Sequence, residues 1–159
     1  MVGIMDTSLG LLLNAAKIKL KSKEIWFRVF AGDPFLRKQI LNWIQQDQLF
    51  KEGIDEDGDV IGYYGEFTEA MNPEKVAGTH YTLFDTGEFY ASMYVAVQMN
   101  YIEVVADPIK IDDRTGETDN LFYKYGEGII GLTDENKTKL AIMVKIRFQR
   151  EAAKILFNY

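Results

Sequence analysis

The sequence predicts an α+β fold: helices at both ends and one small antiparallel sheet of three to four strands, packed with the N-terminal helices and a long C-terminal helix. Three observations lead there. Leu9, Leu12, Leu13, Ala16 and Leu20, and again Leu140, Met143, Val144, Arg147, Phe148, Ala152 and Ile155, recur at spacings of three and four. Between them, Phe89, Ala91, Met93, Val95 and Val97 alternate with Tyr90, Ser92, Tyr94, Ala96 and Gln98, the period of a strand. All three prolines follow Asp or Asn and mark breaks between elements. The 159 residues are enough for one domain spanning 1–159 and too few for two.

The first helix is expected over 8–23. Lys17, Lys19, Lys21 and Lys23 load its C-terminal end, where cations suit the helix dipole. The apolar run Glu24 to Phe30 has no clear period and either continues the helix or forms a strand, with a break at Ala31-Gly32. Asp33 can cap a second helix, and Pro34 at its first position wastes no amide. That helix should end near Phe50, ahead of Gly53.

Asp55, Asp57 and Asp59, with Glu66 twelfth from Asp55, superficially resemble a calcium loop. The sixth place, however, needs a glycine for its sharp turn and holds Val60. A tight acidic turn at Asp57-Gly58, between Ile54 and Val60-Ile61, is the simpler expectation. Residues 66–80 read as a polar connection. It ends at His80, the single histidine, expected as a surface or hydrogen-bonded side chain.

After the alternating segment come a turn at Met99-Asn100, a strand over 101–105, a break at Asp107-Pro108, further alternation at Ile109–Ile111 and a polar loop over 112–117. Residues 123–132 are glycine-rich and irregular. Thr133 then caps the C-terminal helix, with Asp134 and Glu135 in its first turn.

Composition narrows the function classes. There is no cysteine, so neither a disulfide framework nor a thiolate metal site is available, and no cofactor or metal is expected. The N-terminus has no basic region ahead of an apolar core, so no signal peptide is expected. The longest apolar patch, Leu9 to Ala16, is too short to span a bilayer. Net charge is −6, carried as +4 over 1–51, −15 over 52–136 and +5 over 137–159. An acidic middle disfavours a nucleic-acid groove, and opposite charges on one subunit suit head-to-tail self-association or docking on a charged partner.

Two readings centre on Asp85-Thr86-Gly87. The tripeptide resembles that of single-domain retroviral-type aspartic proteases, homodimers in which each subunit supplies one carboxylate; Ile129-Ile130-Gly131 adds to the likeness. Glu88, where that family has a small residue, and a single glycine, Gly116, between Gly87 and Gly126, where a flap is needed, depart from it. The other reading makes the tripeptide a turn: Gly87 supplies backbone freedom, Asp85 or Thr86 bonds a nearby amide, and the strand from Phe89 to Val97 follows. Its odd positions would build the core, and Tyr90 and Tyr94 would face outward toward a neighbouring subunit.

Three segments carry a second resemblance. Leu83-Phe84-Asp85-Thr86-Gly87-Glu88-Phe89-Tyr90-Ala91-Ser92-Met93 is the first. The second is Gly128-Ile129-Ile130-Gly131-Leu132-Thr133-Asp134-Glu135, and the third is Gln48-Leu49-Phe50 leading to Gly53-Ile54-Asp55. In order and spacing across 40–157 they resemble the phage virion morphogenesis family, the tail completion or head–tail joining proteins of tailed bacteriophages. That resemblance implies a structural virion protein at the neck or tail, without catalysis and assembled in the host bacterial cytoplasm. It implies a homo-oligomeric ring docked on portal, connector or tail-tube proteins, with neither membrane nor sequence-specific nucleic acid as partner. Asp85, Thr86, Gly87, Tyr90, Gly131, Leu132 and Thr133 lie in those segments and, with Tyr94 of the alternating strand, are the expected turn and interaction residues.

Overall fold

The computed structural model describes residues 8–99, 101–111 and 116–157. Residues 112–115 of the expected loop over 112–117 and Asn100 of the expected turn lie outside them, as do the side chains of Leu9, Leu20 and Ile155. The fold is α+β.

Helix α1 runs over Ser8–Gly32, so the ambiguous run at 24–30 continues the helix. The reason is burial at helical spacing: Ile25, Val29 and Phe30 enter the core, and Trp26 stacks on Phe30 at 6.0 Å and meets Phe148 of the last helix at 5.4 Å. Helix α2, Pro34–Asn42, starts as expected, with Asp33 Oδ1 accepting from the Leu36 amide at 3.1 Å. Arg147 reaches across to the other Asp33 oxygen and ties α2 to the C-terminal helix. Trp43–Glu52 continues α2 as a π-helix that ends on Gly53. Its buried residues fall five apart, Trp43 with Gln48 and Ile44 with Leu49, matching the i→i+5 repeat of that winding.

The segment 66–80 contains a short helix α3, Glu66–Met71, which no periodicity announced. The alternating segment is a larger correction. Glu88–Ser92 forms a single helical turn, α4, and strand β1 covers only Tyr94–Val97. Ser92 Oγ folds back to the Phe89 carbonyl at 2.7 Å, a local bond that favours the turn over a strand. Tyr90 is therefore buried, not outward-facing, while Tyr94 is exposed as expected.

Strand β1 pairs antiparallel with β2, Ile102–Val105, in the register Tyr94↔Val105 to Val97↔Ile102. Strands β3, Ile109–Ile111, and β4, Thr118–Asn120, form a second antiparallel pair. Among the described residues the strands thus make two separate two-stranded sheets in place of one. Helix α5, Leu121–Tyr125, and a 3-10 turn, Glu127–Ile130, order most of the glycine-rich stretch. Helix α6, Asp134–Phe157, closes the chain and packs on α1. One core joins Ile25, Leu36, Ile40, Ile44, Leu49, Met93, Leu121, Ile129 and Val144. Each fully buried aliphatic side chain there contributes about 1.5–3 kcal/mol.

Candidate functional site

Asp85, Thr86 and Gly87 form the expected turn, but their roles divide differently. Gly87 sits at φ +86°, a left-handed conformation that costs a side-chain-bearing residue, and its carbonyl accepts from Ala91. Thr86 Oγ1 accepts from the Glu88 amide at 3.4 Å, so Thr86 is the local turn partner. Asp85 faces two lysines instead: Lys75 Nζ lies 2.8 Å from Oδ1 and Lys110 Nζ 2.6 Å from Oδ2. The hydrogen bonds from Lys110 and then Lys75 hold its carboxyl at about 2, against an ordinary 3.8. These groups line a cavity of about 230 Å³ walled by Tyr81, Phe84, Phe89 and Tyr125. A second pair, Lys124 and Asp119 at 3.2 Å, stands beside it. Leu83, just before the turn, has φ +52°. The Tyr90 hydroxyl donates to the Thr82 carbonyl, and burial pushes its phenol well above the usual range. Chemically this cluster is a clamp. A carboxylate ionised between two ammonium groups neither gives nor takes a proton near neutrality.

The second predicted group, Gly131, Leu132 and Thr133, lies at the start of α6. Gln48, 1% exposed, holds it from the π-helix. Its Nε2 donates to the Gly131 carbonyl at 2.8 Å, and its Oε1 accepts from the Thr133 amide at 3.1 Å and from Asn136 Nδ2 at 2.9 Å. Thr133 Oγ1 accepts from the Asn136 amide at 3.4 Å, the expected cap. At Gly131 a Cβ would stand 2.2 Å from Glu56 Oε2 and 2.6 Å from Glu56 Cβ, so only glycine fits that approach. Leu132 is half-buried against the core.

The two groups do not form one cavity, but one element ties them together. From the π-helix, Gln45 Nε2 donates to the Tyr90 carbonyl at 2.8 Å and Phe50 meets Phe84 edge-on at 6.0 Å, while Gln48 grips the start of α6. Tyr94 stands apart on β1. Sequence reasoning quoted Gln48 only as part of a motif, without its role as a tie, and missed Lys75 and Lys110. For Gln48 a signal existed: it lies at four-residue steps from Ile40 and Ile44, both buried. The lysines, 10 and 25 residues from Asp85 in sequence, gave none.

The acidic turn closes as expected, with Ile54 bridged to Val60. Asp55 Oδ1 accepts from the amides of Asp57 and Asp59, both at 3.0 Å, so it serves its own loop. Among the described residues no three His, Cys, Asp or Glu side chains converge to hold a metal ion. His80 Nε2 lies 3.2 Å from the Phe50 carbonyl, a hydrogen-bonded histidine. No helix among the described residues is long and apolar enough to cross a membrane.

The site thus defines a class by its chemistry: an α+β chain whose conspicuous polar groups are turns, caps and ion pairs. Compared with known proteins, the chain matches no family model, no curated relative and no solved structure.

Proposed function

We propose that the chain is a structural subunit of a tailed-phage virion, at the neck or tail, which assembles as a homo-oligomeric ring and docks on portal, connector or tail-tube proteins. One observation carries the reading beyond the sequence motifs. The three segments that resemble the virion morphogenesis family, far apart in the chain, meet on one π-helix through Gln45, Gln48 and Phe50. An arrangement in which shared motifs brace one another suits a scaffold. The charge map is the second support, since basic ends and an acidic middle favour head-to-tail contact.

A homodimeric aspartic protease built on Asp85 is the weaker reading. Such a dyad shares one proton between two carboxylates, and Asp85 is held ionised by Lys110 and Lys75. Light scattering over a concentration series, with negative-stain class averages, tests the proposal. Rings that weaken in high salt, and that persist in Asp85→Asn, are the expected result. A monomer at every concentration and salt, or proteolysis abolished by Asp85→Asn, would overturn it.

A further inference from the structure

Two surface features are complementary in charge, and both are apolar at their centre. The first is an open apolar groove of about 560 Å³ between α1, α6 and the tip of the β1–β2 hairpin. Trp26, Phe30, Met99, Tyr101, Leu140 and Val144 line it. Lys23 and Lys137 stand on its rim; Lys23 has no ion-pair partner among the described residues, and Lys137 reaches only the almost fully exposed Asp134 at 3.2 Å. The second feature is α3. Phe67 and Met71, four residues apart and so on one face of the helix, are 81% and 53% exposed. Glu66 and Glu74 flank them, exposed and without ion-pair partners among the described residues. No groove-lining residue belongs to α3 or its flanks.

We propose that the groove of one copy receives the Phe67–Met71 face of α3 from the next copy, with Glu66 and Glu74 set against Lys23 and Lys137. This rests on the ring reading and supplies its interface. Isolated apolar residues on a surface need no partner, but an aromatic and a thioether side by side on a short acidic helix form an anchor. A desolvated aromatic in an apolar pocket is the usual centre of binding energy, and rim charges set register and approach rate. Donor and acceptor are different patches of the same chain. The contact is therefore heterologous, and it repeats around a ring when the rotation closes.

The test uses two full-length variants that leave the core alone. Phe67→Asp destroys the anchor, and Ala141→Glu puts a carboxylate in the groove; both positions are exposed. Sedimentation velocity should show each variant alone weakened in self-association by about 30-fold or more, the usual loss at a central anchor. Circular dichroism should match the parent, and Phe67→Ala repeats the donor test without a buried charge. Mixed together, the two should form a dimer and nothing larger, because the groove of the first still accepts α3 of the second. A parent that forms rings while both variants do so unchanged would place the interface elsewhere and sink this proposal alone. A mixture that forms no dimer would also overturn it. A parent that is monomeric throughout would remove the ring reading along with it.

Discussion

The junction around Gln48 and the turn around Asp85 bind comparable numbers of polar groups by opposite means. At the junction a neutral amide, buried with Asn136, makes three hydrogen bonds with no charge to desolvate. At the turn a carboxylate whose side chain is 38% exposed makes two ion pairs with lysines that water also reaches. Buried neutral bonds are costly to break because the abandoned partners cannot turn to water. Exposed ion pairs are screened and contribute little. The position of a conspicuous motif and the position of the stabilising contacts therefore differ in this chain.

Three substitutions sharpen that contrast, in falling order of effect. Gln48→Leu keeps the volume but strands the Thr133 amide, the Gly131 carbonyl and the Asn136 amide group. It should cost roughly 3 kcal/mol in urea denaturation, independent of salt. A loss below about 1 kcal/mol would mean that the start of α6 does not depend on that amide. Gly131→Ala drives a methyl into Glu56, whose amide is fixed to the Gly128 carbonyl at 3.0 Å. About 2 kcal/mol is expected, read as a lowered midpoint at unchanged slope.

Asp85→Asn should cost only about 1 kcal/mol at neutral pH, since the pairs are solvent-screened. Its signature is pH dependence. The folded carboxyl lies near 2 and the unfolded one near 3.8, so its stabilisation is fully present above about 4 and disappears as pH falls toward 2. The parent should lose that increment over this window and the variant should not. Molar salt should shrink the difference between them. Parallel acid profiles would show that the two lysines do not stabilise Asp85.

How much of this was legible in the sequence follows the same line. Local rules served where one residue decides a local bond: Asp33 and Thr133 cap their helices, Gly87 turns the chain and Gly53 ends the π-helix. They failed where partners come from afar. The alternation over 89–98 reads as strand, yet Tyr90 counts as polar in that pattern while burying its ring and satisfying its hydroxyl on Thr82. Strand β4 is polar and wholly exposed, so no apolar face announced it. It exists by pairing with β3, which splits the expected sheet in two. Thr86 and Gly87 turn the chain locally, but the lysines that lower the Asp85 carboxyl come from afar and could be found only in three dimensions.

The π-helix carries a consequence for how this chain can change length. Its wide winding keeps Trp43 over Gln48 and Ile44 over Leu49, a spacing that ordinary α winding would splay to different sides. Insertions and deletions elsewhere can be absorbed in loops. Here the count of residues is itself the information, because one residue fewer would rewind the segment and swing Gln48 away from the start of α6. In divergent copies of this sequence, the stretch from Trp43 to Glu52 should change its letters more readily than its length.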